Sequence, residues 1–243
     1  MKKSLLTLLA ITAAMATSGC ARKSAGTELK ATAFGSALVE SSGGKQVGAV
    51  GATLAQPLVV QVNDDQGSAV PGALVEFTGP AGISFDPARA ISDSSGQVTT
   101  NVALGGMAGR YELTATMFTK GQKRVDLKLV ETALGYQQQL GQQLNEKYCA
   151  RCHDPESTPE RVSNYDNLEV KPHPFDEGDT LNKISDADLT AIISHGGPAL
   201  NKSALMPPYG LTLNKAEIQA VISYIRLVCF PPYQASGTAY SGK

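Results

Sequence analysis

Four cysteines and three histidines carry most of the chemistry open to this chain. Two of the cysteines stand in Cys149-Ala150-Arg151-Cys152-His153. Two thiols separated by two residues, with histidine next, read as an attachment site for c-type haem. Both sulfurs can reach the vinyl groups on one porphyrin edge, and the next imidazole is then directed under the iron. A zinc site would need a second ligand pair at knuckle spacing, and the sequence has none. A thioredoxin-type pair would sit in a βαβ context, and no such pattern surrounds these residues. One covalent haem c held by Cys149 and Cys152, with His153 on the iron, is the expected cofactor.

The other cysteines have different contexts. Cys20 closes a segment with Lys2 and Lys3 at its start and an uncharged apolar run over residues 5–16. That run suits a signal peptide and is too short for a spanning helix. Ala16-Thr17-Ser18-Gly19-Cys20 resembles the lipobox of bacterial lipoproteins, with Thr17 where that family more often has Leu. The resemblance implies lipidation at Cys20 and a membrane tether through several acyl chains; ordinary cleavage nearby, leaving Cys20 free, is the alternative. By the family rule on the following residue, Ala21 implies the outer membrane. The expected location is the cell envelope, as a periplasmic or outer-membrane lipoprotein. Cys229 falls in helical phase with apolar residues and is expected to be a buried thiol, with an intermolecular disulfide as the other option.

The elements that must position these groups divide the chain in two. A net charge of -1 gives no reason to propose nucleic acid as a partner. The absence of Trp leaves the cores to aliphatic side chains. From about residue 31 the pattern is β-like. Residues 58–62, 73–77, 97–104, 111–116 and 125–129 are β-branched or alternating, and turn clusters such as Asn63-Asp64-Asp65-Gln66-Gly67 and Asp93-Ser94-Ser95-Gly96 separate them. Short strands at this spacing predict a β-sandwich. Val62-Asn63-Asp64, Val70-Pro71-Gly72, Val75-Glu76-Phe77 and Gly109-Arg110-Tyr111-Glu112-Leu113 resemble the group 1 bacterial immunoglobulin-like domain of invasin-type adhesins. The resemblance implies a spacer or binding module with no catalytic residue. The acidic residues at its turns are expected to satisfy turn backbone.

From residue 133 the pattern turns helical. Tyr136, Leu140, Leu144 and Tyr148 recur every four residues and lead into Cys149. Ser185-x-x-Asp188 and Asn214-Lys215-Ala216-Glu217 mark two further helix starts. Ile218, Val221, Ile222, Ile225 and Cys229 share one face of the last helix, which Pro231-Pro232 terminates. Leu205-Met206-Pro207-Pro208-Tyr209-Gly210 resembles the axial-methionine loop of class I c-type cytochromes. Over residues 135–230 the resemblance implies first and last helices crossing near the haem, with Met206 as the second axial ligand. Leu144 and Asn145 occupy the region where that family commonly has an aromatic. His195 and His173 are the competing ligands. His195 ends a helix, where the dipole favours it without any iron; His173, in Lys171-Pro172-His173-Pro174-Phe175, is expected to wall the pocket or approach a propionate.

These readings give a two-domain chain: signal peptide 1–19, tether 20–30, immunoglobulin-like all-β sandwich 31–132, all-α class I cytochrome c-like domain 133–232 and flexible tail 233–243. The expected function is electron transfer, not enzymatic: a membrane-tethered monohaem c-type cytochrome passing single electrons between unidentified redox proteins. Acidic groups outnumber basic ones in the helical half, which favours a basic partner surface. The alternative is a surface adhesion or scaffold lipoprotein in which the sandwich binds the partner. Catalysis or gas sensing would require Met206 to leave the iron. A dihaem peroxidase is disfavoured by the single Cys-x-x-Cys-His.

Overall fold

The computed structural model describes residues 29–234. The signal peptide, Cys20 and most of the tail lie outside the described residues.

Among the described residues nine strands form two sheets. One has the order β1 (Ala37–Ser42), β3 (Leu58–Asn63), β7 (Gln97–Ala103), β5 (Ser84–Asp86). The other runs β2 (Val47–Ala49), β9 (Arg124–Leu134), β8 (Gly109–Phe118), β4 (Leu74–Thr78), β6 (Arg89–Ile91). Pairing is antiparallel except between β2 and β9. The period of two decides what is inside. Leu58, Val60 and Val62 of β3 are buried, as are Val98 and Val102 of β7 and Leu113, Ala115 and Met117 of β8. The expected β-sandwich is therefore present. Its turn aspartates do what the sequence suggested: Asp64 Oδ1 accepts from the amides of Gln66 and Ser68, and Asp93 Oδ1 from those of Ser95 and Gln97.

After Leu134 the described chain is helical: α1 (Tyr136–Tyr148), α2 (Ala150–His153), α3 (Gly178–Leu181), α4 (Asp186–His195) and α5 (Lys215–Val228). Helix α5 starts with a complete capping box between Asn214 and Glu217. In α4 the Ser185 hydroxyl accepts from the Asp188 amide at 3.0 Å. Ile218, Val221, Ile222, Ile225 and Cys229 are all buried, as their phase predicted. Helices α1 and α5 cross at Gly141, where a Cβ would lie 2.1 Å from the Ala220 carbonyl oxygen. Only glycine permits so close an approach. The four-residue stripe of α1 needs one correction. Tyr136 is 86% exposed: α5 meets the first turn of α1 through Gln138, whose side-chain amide donates to the Ser223 hydroxyl at 2.7 Å, and Tyr136 lies off that face.

The halves meet directly. Only Gly135 separates β9 from α1. The Gln139 side-chain amide donates to the Leu134 carbonyl at 2.9 Å. Arg110 of β8 donates through Nε to the Leu227 carbonyl at 3.1 Å and through Nη2 to that of Val228 at 2.9 Å and to that of Cys229. These are terminal carbonyls of α5, where a cation is favoured. Among the described residues no helix is long and apolar enough to cross a membrane.

Candidate functional site

Helix α1 stops at Tyr148 because Cys149 departs from helical geometry, at φ -115° and ψ -42°. Its amide still donates to Asn145, while the amides of Cys152 and His153 both return to the Cys149 carbonyl at 3.0 Å. That tight turn brings Cys149, Cys152 and His153 onto one cavity of about 660 Å³. The two sulfurs form no disulfide with each other. Burial pushes the Cys149 thiol up to about 12, unlike an activated thiolate nucleophile.

The His153 Nδ1 atom lies 2.9 Å from the His173 carbonyl oxygen. A carbonyl can only accept, so Nδ1 carries the proton and Nε2 keeps its lone pair. Burial holds the imidazole below its ordinary pKa, favouring the neutral, ligating form. Its ring packs on Phe175 with centroids 4.8 Å apart. The Pro-rich segment thus walls the cavity, as expected, and also orients the histidine. His173 itself turns its ring to Glu177, with Nδ1 2.9 Å from Oε2. The Glu177 carboxyl is held below its usual range by the Thr180 hydroxyl and by His173.

Met206 lines the same cavity. Its loop lies against the end of α4: Gly197 N donates to the Met206 carbonyl at 3.0 Å, and the amides of Tyr209 and Gly210 donate to Ile193 and Ser194. Gly196, at φ +81°, permits this contact, since a Cβ there would stand 2.8 Å from the Met206 carbonyl oxygen. His195, the rival ligand, is exposed and does not line the cavity. Its neighbours Gly196 and Gly197 serve the loop; the histidine does not. The Tyr209 hydroxyl donates to the Tyr148 carbonyl at 2.8 Å, and burial raises its pKa, keeping the donor protonated.

The remaining walls are aliphatic. Leu189, Ile192 and Ile193 come from α4, and Val221 and Ile225 from α5. Exposed Lys171, Lys183 and Lys202 stand at the mouth with Asp188. The charge there is opposite to the acidic excess of the whole helical half. The residues fit a haem. The volume falls within the roughly 300–1,000 Å³ usual for cofactor sites, two thiols and an imidazole converge there, the walls suit a macrocycle, and the lysines suit carboxylate substituents. Among the described residues no group of three or more His, Cys, Asp and Glu side chains is gathered as for a bare metal ion.

One supporting residue escaped the sequence reading. Arg161 donates through Nη1 to the carbonyls of Ala150 at 3.2 Å and Glu156 at 2.9 Å, and through Nη2 to Asp154. It ties the loop after His153 back onto the attachment turn. With Nε also donating to Glu146 at 3.4 Å, its partners are two carbonyls and two carboxylates at spacings that form no motif. Cys229 is buried, with Sγ 3.3 Å from Asn182 Oδ1.

Residues 137–225 match the family model described as cytochrome C oxidase, cbb3-type, subunit III. The helical half is thus similar to a cytochrome c-type domain, which implies a covalently bound haem c and an electron carrier. No curated protein matches the chain in sequence. Among solved structures, the D00-D0 domain of intimin aligns at 13% identity over 43% of this chain and 50% of that one, with a TM-score of 0.32. The Yersinia pseudotuberculosis adhesin InvE aligns at 13% identity over 41% of this chain and 32% of that one, with a TM-score of 0.30. A conjugative transposon lipoprotein from Bacteroides eggerthii aligns at 7% identity over 39% of this chain and 93% of that one, with a TM-score of 0.28. The matched part spans half or less of the intimin and InvE chains. Scores this low carry no argument; the sandwich rests on its strand pairing.

Proposed function

We propose that the chain is a membrane-tethered monohaem carrier of single electrons, with haem c joined to Cys149 and Cys152 and its iron held by His153 and Met206. The observation that carries this reading is the convergence of these four side chains on one largely apolar cavity. Bound haem supplies a one-electron ferric–ferrous couple. His153 presents Nε2 because its Nδ1 proton is engaged by the His173 carbonyl, an outer contact that fixes the tautomer. The neutral, soft thioether of Met206 favours the reduced state and raises the potential relative to two histidines. With His153 and Met206 both holding the iron, no position would be left for substrate, and outer-sphere exchange with a transiently docked redox protein would be the remaining chemistry. Acylated Cys20 would hold the protein in the cell envelope, with Ala21 favouring the outer membrane, and the sandwich would act as a spacer.

The test is the ferric spectrum of the purified holoprotein. A sulfur-to-iron charge-transfer band is expected, together with two thioether links by mass spectrometry. Met206→Ala should abolish the band, lower the potential and let added imidazole bind without competition. A wild-type protein that is high-spin and takes up ligands freely would sink the carrier reading. Mass spectrometry of the membrane fraction checks acylation at Cys20.

A further inference from the structure

We infer that Tyr209 is a positioning residue, fastening the Met206 loop to the segment that carries the haem attachments. The inference rests on Met206 being an iron ligand.

A thioether ligand is the weaker of the two axial bonds, so what holds its loop determines how readily it yields to a competitor. Most ties of that loop run to α4 and the turn just after it: Gly197 N to Met206 O, Tyr209 N to Ile193 O, Gly210 N to Ser194 O. They fix the loop relative to one wall of the cavity, whereas Cys149, Cys152 and His153, which would hold the haem, stand on the opposite side at the end of α1 and on α2. Among the described residues, one hydrogen bond crosses from the loop to that other side. It runs from the Tyr209 hydroxyl to the Tyr148 carbonyl, the residue immediately before Cys149.

The acceptor is available for a structural reason. In a continuing α-helix the Tyr148 carbonyl would take the Cys152 amide. Here that amide goes to Cys149 instead. The break that forms the attachment turn therefore spares a carbonyl at the end of α1, and Tyr209 satisfies it. The two rings also pack together, with centroids 5.8 Å apart and planes tilted by 59°. Tyr209 lines the cavity three positions after Met206, so its ring meets the cofactor space while its hydroxyl fixes the distance between the two sides.

Tyr209→Phe keeps the ring and removes the tie. The measurement is imidazole affinity of the ferric holoprotein, followed by loss of the sulfur-to-iron band. Losing one hydrogen bond should tighten imidazole binding roughly five-fold, within the span that a single net hydrogen bond supports. Tyr111→Phe is the control. Its hydroxyl also donates to a backbone carbonyl, that of Met107 at 2.7 Å, but within the sandwich, and its removal should leave imidazole affinity unchanged. Unchanged affinity in Tyr209→Phe, or an equal shift in Tyr111→Phe, overturns the inference. Failure of the ligand reading itself shows separately, as a wild-type protein without the band.

Discussion

In the sandwich, Leu58, Val60 and Val62 of one sheet and Leu113, Ala115 and Met117 of the other belong to one continuous buried cluster. In the helical half, Leu189, Ile193, Val221 and Ile225 are the same kind of side chain, yet they face a cavity of about 660 Å³. The first core is closed by its own residues. The second is arranged about a space whose size and lining suit a haem, and its stability should follow that group, since a ligand held by the folded state alone stabilises it. One chain is thus expected to carry a self-sufficient unit and a cofactor-dependent one.

The largest expected effect tests that contrast directly. In Cys149→Ser/Cys152→Ser, which cannot form the thioethers, amide protection of α1 and α5 should fall roughly 100-fold or more, equivalent to about 3 kcal/mol. Protection of β3, β8 and β9 should remain. Hydrogen-exchange mass spectrometry of the full chain reads both in one experiment. Equal loss in the sandwich, or full protection of α1 and α5, would break the comparison.

The two halves also differed in how far they could be read from sequence. Alternation in residues 58–62, 97–104 and 111–116 located β3, β7 and β8, because a sheet with one buried face writes its burial into every second residue. The phase of Ile218, Val221, Ile222 and Ile225 located the buried face of α5 equally well. Cys149, Cys152 and His153 were legible because their chemistry depends on local spacing, which a turn of the chain converts to proximity. Gly141 was not, since a single glycine in a glutamine-rich helix gives no sign of the backbone it will touch. The stripe through Tyr136 overran because α5 meets the first turn of α1 through Gln138, and the four-residue recurrence does not show that Tyr136 lies off that face. Arg110 binds carbonyls, which leave no mark in a sequence, and Arg161 joins two carbonyls to the carboxylates of Asp154 and Glu146 at spacings that form no motif.

A buried charge sharpens the comparison from the other side. Glu131 lies on the inward face of β9 between Leu129 and Ala133, fully buried. One carboxyl oxygen accepts from the Gln46 amide at 2.7 Å, and the other has no protein partner. Burial raises its pKa from 4.5 to about 7, against the Gln46 bond, with Glu40 adding to the rise. The folded state therefore holds a proton that the unfolded state has released between these two values. Sandwich stability should be greatest below pH 4.5 as far as this group decides, and fall as pH rises through about 7. Glu131→Gln should remove that slope and stabilise the sandwich at pH 8 by about 3 kcal/mol. Urea unfolding of the full chain at pH 5 and pH 8, read through β-strand amides, checks it. A slope retained in the variant would assign the pH dependence to another group. The helical half should show none of this change, because the group lies in the other core.

The smallest effect concerns the junction, where the two kinds of core touch. Arg110 belongs to the sandwich but engages the last carbonyls of α5, and its guanidinium stands 5.8 Å from the centroid of the Phe230 ring. The cofactor-dependent unit is thus capped by a residue of the self-sufficient one. Hydrogen bonds from a charged donor are worth about 1.5–3 kcal/mol when buried, and partial exposure of this side chain places Arg110→Ala near about 1–2 kcal/mol. That loss should appear in the haem-domain transition, followed by haem absorbance, while the sandwich transition stays where it was. Arg110→Lys should recover only part of it, since an ammonium is a point charge and cannot reproduce the planar fork. If Arg110→Ala left the haem transition unmoved, the halves would be energetically independent, and the sandwich would be a spacer and nothing more. A shift confined to the haem transition instead shows the sandwich closing the last helix of its neighbour.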